Sequence, residues 1–166
     1  GFVHFTVVGN YEKADEYYLK NIELAPSDSF WARHFVALDY FQRANKPREA
    51  LDILLGTLAE EHDAHQGRFL YEIHLRLALL YRYFGDYDMA VEHANLAIEH
   101  GTDKNDTHIQ IAHAILALTA GRNGDFATAE NEIAIAENLS GSSAFNCTLA
   151  EAYFEGGRYS KAIEVA

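Results

Sequence analysis

Two kinds of segment alternate along the chain. FWARHFVALDYFQRA, RFLYEIHLRLALLYRYF, THIQIAHAILALTAGR and AFNCTLAEAYFEG have helical length, but they are apolar at more positions than one buried stripe requires. Such helices need neighbours on more than one side. YEKADEYYLKNIEL, REALDILLGTLAEE, YDMAVEHANLAIEH and FATAENEIAIAENL show narrower apolar faces, with Glu and Lys elsewhere. The pattern predicts inner helices alternating with outer ones, and no strands.

A recurring phrase joins each inner helix to the outer one that follows: GNYEKA at Gly9, NKPREA at Asn45, GDYDMA at Gly85, GDFATA at Gly124 and GRYSKA at Gly157. Gly85 can take the left-handed conformation that ends a helix, and Asp86 can accept hydrogen bonds from the free N–H groups that open the next. Asn10 and Asp125 suit the same capping role, and Pro47 suits a first helical turn, where its missing N–H costs nothing. Arg158 has no acceptor to offer, so the last joint is chemically weaker. Each phrase ends in alanine (Ala14, Ala50, Ala90, Ala129 and Ala162), a residue small enough to let two helices of a hairpin approach. These alanines stand 36, 40, 39 and 33 residues apart, the recurrence expected of stacked helical hairpins.

The phrases and their flanks resemble the tetratricopeptide repeat, whose pattern is W-x2-L-G-x2-Y followed by A-x3-F, a later small residue and a closing proline. Leu77, Ala78 and Tyr81 match its first helix, as do Leu116 with Ala117, and Leu149, Ala150 and Tyr153. Ala14 with Tyr18, Ala50 with Leu54, and Ala129 with Ile133 match A-x3-F. Ala97 and Ala136 match the later small position, and Pro26 the closing proline. His34, His74 and His113 stand where the family has tryptophan. The resemblance implies an all-α, right-handed superhelical solenoid of antiparallel hairpins, in one domain that is a fragment of a longer chain. It would comprise a half repeat over 1–26, repeats over about 27–66, 67–104 and 105–141, and a truncated repeat over 142–166.

It also implies a concave groove lined by first helices, and hence a non-enzymatic module that binds a peptide or helix of a partner protein. The lining positions would be Ala32, Phe35, Asp39, Gln42 and Arg43; Glu72, Leu75, Leu79, Arg82 and Tyr83; Ile111, Ala114, Leu118, Gly121 and Arg122; and Ala144, Cys147, Glu151, Phe154 and Glu155. Family members that clamp a C-terminal carboxylate use Lys and Asn at the second and third of these positions. Phe35/Asp39, Leu75/Leu79, Ala114/Leu118 and Cys147/Glu151 offer no such clamp. Phe35, Leu75, Tyr83 and Phe154 are the expected anchors, with Arg43, Arg82 and Arg122 orienting an apolar ligand that carries some acid. Two other readings are a regulatory arm that senses a peptide or effector, and an accessory region of a larger enzyme.

Composition narrows the chemistry. The 166 residues are 49% hydrophobic with a net charge of −12, which suits a globular core and repels phosphate backbones, so nucleic acid is not an expected partner. No apolar run is long enough for a membrane span. The lone Cys147 excludes an internal disulfide and fits either a reducing compartment or indifference to redox state, which leaves localisation open with a slight lean to the cytoplasm. Phosphate-loop, H-E-x-x-H and G-x-S-x-G motifs are all lacking, so no catalytic residue and no cofactor is assigned. His62 and His65 in EEHDAH read as part of an acidic connector and not as metal ligands, while His34, His74 and His113 read as packed histidines with one ring nitrogen hydrogen-bonded. Phe2, Val3, Phe5, Val7 and Val8 make an apolar leading edge through which copies could self-associate.

Overall fold

In a computed structural model, the structure describes residues 11–26, 29–64, 69–101, 107–140 and 146–165; within these, the side chains of 11, 61–64, 140, 146 and 147 are left undescribed. The described residues form helices and no strands. In chain order these are α1 (Tyr11–Leu24), α2 (Phe30–Gln42), α3 (Pro47–Ala64), α4 (Leu70–Phe84), α5 (Tyr87–His100), α6 (Thr107–Arg122), α7 (Phe126–Ser140), α8 (Asn146–Glu155) and α9 (Tyr159–Val165). The even-numbered helices are the expected first helices and the odd-numbered ones the second. The apolar leading edge and His65 fall outside the described residues.

The joints form as their residues dictate. Gly85, Gly124 and Gly157 have φ of 80°, 77° and 80°, and Asn45 takes the same left-handed region at 53°. Behind each of the three glycines the next N–H reaches back five residues: Asp86 to the Tyr81 carbonyl at 2.9 Å, Asp125 to Ala120 at 2.9 Å and Arg158 to Tyr153 at 2.8 Å. The last carbonyls of the ending helix are thereby satisfied. Asp86 then caps α5 by accepting from the Met89 N–H at 3.3 Å, and Asp125 caps α7 by accepting from the Thr128 N–H at 3.1 Å. Pro47 opens α3. Ala14, Ala50, Ala90 and Ala129 have no exposed surface and Ala162 very little, as close hairpin packing requires.

The chain divides into two compact units, Gly1–Ile73 and His74–Ala166. In the first, α1 packs on α2 and α2 on α3. Its core gathers Ala14, Tyr18, Ala32 and Val36, with Ile22, Phe35, Tyr40 and Ile53 against them. A second apolar group stacks Phe30 on Phe69 at 4.4 Å between ring centroids.

In the second unit α6 contacts α5, α7 and α8, while α8 also contacts α7 and α9. Helix α6 buries residues all round, including Ile109, Ala112, Ile115, Ala117 and Gly121, whereas α5 buries only Ala90, His93, Ala94 and Ala97. The two kinds of apolar pattern in the sequence thus correspond to two depths of burial. Gly121 and Gly156 mark the tightest approaches: a Cβ at Gly121 would lie 2.5 Å from the Ala152 carbonyl oxygen and 2.7 Å from the Ala152 Cβ, and one at Gly156 would lie 2.2 Å from the Gly121 carbonyl oxygen. Only glycine lets α8 sit that close to α6.

Candidate functional site

In the second unit, side chains at the expected lining positions of α4 and α8 come together. The Arg82 guanidinium donates to Glu155 Oε1 at 2.6 Å and to Glu151 Oε1 at 3.2 Å. Arg82 and Glu155 are each about one-fifth exposed, whereas Glu151 is half exposed and retains capacity for another partner. Tyr83 and Phe154, the expected aromatic anchors of these two helices, are 59% and 61% exposed. Leu79 is partly buried against the cluster around Leu75, and Leu118 joins the cluster formed by Ala117, Ala120, Ala129, Ile133 and Ala152.

Leu75 is placed differently from an anchor. It has no exposed surface and packs with Ala78, Ala94, Ala97, Ala112 and Ile115. Four of those five neighbours are alanine, which lets the surrounding helices close over it. Arg122, at the end of α6, lies over the ring of Tyr87, the first residue of α5, at 4.6 Å, a cation–π contact between successive hairpin joints.

In the first unit Phe35 is half-buried, stacked on Tyr18 at 5.3 Å between centroids. Asp39 is buried and ion-paired with Arg43 one turn later. Beside them lies a cleft of about 610 Å³ whose walls include Asp15, Asp39, Tyr40, Arg43 and Lys46. The Asp15 and Asp39 carboxyls act on each other there, each with a buried Oδ1. Burial, reinforced by the Asp39 carboxyl, pushes the Asp15 carboxyl up to about 7, against the pull of Arg43 and Lys46. Sequence reasoning missed Asp15, because its partner lies on another helix.

The three recurrent histidines are packed side chains. His34 Nε2 lies 3.4 Å from Glu72 Oε1, and His113 Nδ1 lies 2.6 Å from Glu132 Oε2. His74 Nδ1 lies 2.8 Å from His93 Nδ1, so one imidazole donates to the other. Tyr81 stacks on the His93 ring and His100 on the His74 ring. Burial, then the neighbouring His93 and His100, holds His74 down to about 4; burial also lowers His93. His74 with His93 and His113 with Glu132 share one spacing of 19 residues, a signal of first-to-second helix pairing that was present in the sequence. Among the described residues no group of three or more His, Cys, Asp or Glu side chains is arranged to hold a metal ion. No described helix is long and apolar enough to cross a membrane.

The family model of the tetratricopeptide repeat matches residues 8–28 and 71–99. The first match covers the outer helix of the expected half repeat, and the second covers the hairpin of α4 and α5. With the repeated joints and the packing of adjacent helices, these matches support a tetratricopeptide repeat protein, all-α and built from helical hairpins. Repeats of this kind are generally protein–protein interaction modules, typically without catalytic activity. No curated protein matches the sequence.

Proposed function

We propose that the chain is a non-enzymatic interaction module that binds a peptide or helical segment of a partner protein on the first-helix face of its second unit. One observation carries this reading: Arg82 on α4 reaches Glu151 and Glu155 on α8, and the chain neighbours of these residues, Tyr83 and Phe154, are exposed. Large aromatic side chains held on ordered helices bind at low cost in conformational entropy.

The arginines change the expected ligand. Arg43, Arg82 and Arg122 each engage a group of their own chain, so they do not constitute a free cationic track. With a net charge of −12, the protein favours an apolar ligand carrying basic residues over one carrying acid.

Affinity capture with the 166-residue chain and with Tyr83→Ala tests the reading. Tyr83 is exposed, so its truncation leaves the fold intact. The expected result is that a partner held by the parent chain binds about tenfold more weakly to the variant, a loss typical of an aromatic contact residue. Unchanged capture would place the interaction elsewhere.

A further inference from the structure

The hairpin α6–α7 and the hairpin α8–α9 are related by a shift of 33 residues. The structure therefore shows, at the first hairpin, how the corresponding surface of the second can be covered. On α6–α7 the covering element is α8. Its Ala152 joins the cluster that contains Leu118, with Leu149 packed against it. Its Tyr153 is 2% exposed, stacks on Phe126 and donates its hydroxyl to Glu130.

On α8–α9 the same positions form a cleft of about 500 Å³ lined by Ala150, Glu151, Phe154, Tyr159, Ala162 and Ile163. Ile163 is 80% exposed and Tyr159 59%, whereas Phe126, the counterpart of Tyr159, is only 8% exposed. Three of the six positions have changed character. Leu118 becomes Glu151, which puts a carboxylate where the incoming helix presented Leu149 and Ala152. Glu130 becomes Ile163, which removes the acceptor that satisfied the tyrosine hydroxyl. Gly121, whose lack of a side chain admits Ala152, becomes Phe154, which keeps an incoming backbone farther away.

These three changes act together. A helix like α8 would set Leu and Ala against a carboxylate across a widened gap and would leave a tyrosine hydroxyl without its acceptor, which is unfavourable when buried. A long basic side chain spans that gap and meets the carboxylate, and Phe or Leu replaces the tyrosine without loss. Glu151 is available for this, because Glu155 holds Arg82 at 2.6 Å whereas Glu151 lies at 3.2 Å and is half exposed. Lys161, the cation nearest in sequence on α9, is paired with Glu164 at 3.2 Å.

We infer that the α8–α9 surface docks a basic amphipathic helix of a partner, with Lys or Arg facing Glu151 and Phe or Leu seated among Phe154, Tyr159, Ala162 and Ile163. This surface shares Glu151 and Phe154 with the face proposed above but does not include Tyr83, so Tyr83→Ala and Ile163→Asp separate the two readings.

The test uses three fluorescein-labelled synthetic helical peptides titrated against the 166-residue chain at low ionic strength. One has the register of α8 with Lys at the counterparts of Leu149 and Ala152 and Phe at that of Tyr153. The second replaces each Lys with Glu. The third has the sequence of residues 146–157. The expected result is that the basic peptide binds roughly tenfold or more tightly than either of the others. Glu151→Gln should remove most of that preference. Ile163→Asp, at a solvent-exposed position, should weaken the basic peptide by about tenfold while circular dichroism stays unchanged. Equal binding of the Lys and Glu peptides, no binding by any peptide, or indifference to Ile163→Asp would overturn the inference. Tight binding of the 146–157 peptide would assign the surface to a further repeat, and a dimer in light scattering that Ile163→Asp dissolves would assign it to a second copy; either overturns it.

Discussion

In the first compact unit half-buried Asp15 faces the buried carboxyl of Asp39; in the second, two buried imidazoles, His74 and His93, face each other. Both pairs join consecutive helices. Their protonation runs in opposite directions. Folded Asp15 keeps a proton up to about pH 7 that an unfolded chain releases near its ordinary carboxyl value, so its contribution to stability is present at low pH and is lost as pH rises from about 4 to about 7. Folded His74 refuses a proton until about pH 4, whereas an unfolded chain takes it up near 6.5. Its contribution is therefore present above about 6.5 and is lost as pH falls toward 4. One hairpin architecture thus accommodates opposite responses, decided by which side chains face each other across the helix pair.

Hydrogen exchange of the α1–α2 and α4–α5 amides, corrected for intrinsic rates, reads the two responses separately. Protection in α1–α2 should fall as pH rises through 4 to 7, and protection in α4–α5 should fall as pH drops through 6.5 to 4. The histidine effect is up to about 3 kcal/mol, given about 1.4 kcal/mol for each unit by which the folded and unfolded values differ; the carboxyl shift is at least as wide, but solvent around the half-buried Asp15 screens it. His74→Gln should weaken the second profile, leaving the part that His93 carries, and Asp15→Asn should flatten the first, since neither replacement titrates. If both regions respond in the same direction, the two pairs are not what sets the pH dependence.

The units differ in packing as well, and glycine exposes the difference. Gly121 in α6 has the Ala152 backbone against it, whereas Gly56, inside α3, has nothing within 4 Å of the position its Cβ would occupy. Gly121→Ala should therefore destabilise the second unit by about 2 kcal/mol, visible as faster exchange in α6 and α8, because the obstacle is backbone and cannot rotate away. Gly56→Ala should stabilise its helix by about 0.5–1 kcal/mol in a denaturant melt, through the gain in helix propensity alone. Equal effects at the two sites would mean that α8 does not sit close enough to α6 to meet a Cβ at Gly121.

The joints were legible in the sequence because their chemistry is local. Gly85, Asp86 and Ala90 act within one turn of one another, so six residues carry the whole instruction. The inner helices were legible for a related reason, their excess of apolar positions. The site was harder to read. Arg82 lies 69 and 73 residues from the two carboxylates it holds, and no short pattern announces a contact that depends on α6 lying between its two neighbours. Leu75 shows a second obstacle. Family register assigns it to the groove, but the alanines around it let neighbouring helices close over it, a result of side-chain volumes on three helices. The His74–His93 pair was half legible: the recurrence of His34, His74 and His113 was visible, and the 19-residue spacing to a partner acquires meaning only once α4 and α5 are seen as a hairpin.

The elbow at Gly85 has one more implication. Every hydrogen bond that shapes it, from the Tyr81 carbonyl to the Met89 amide, spans five residues or fewer. Such a bend closes quickly, since little chain entropy is lost in bringing its ends together. It also leaves helix length unconstrained, so insertions within an arm do not disturb the corner, and the unequal spacing of the five alanines is tolerated for that reason.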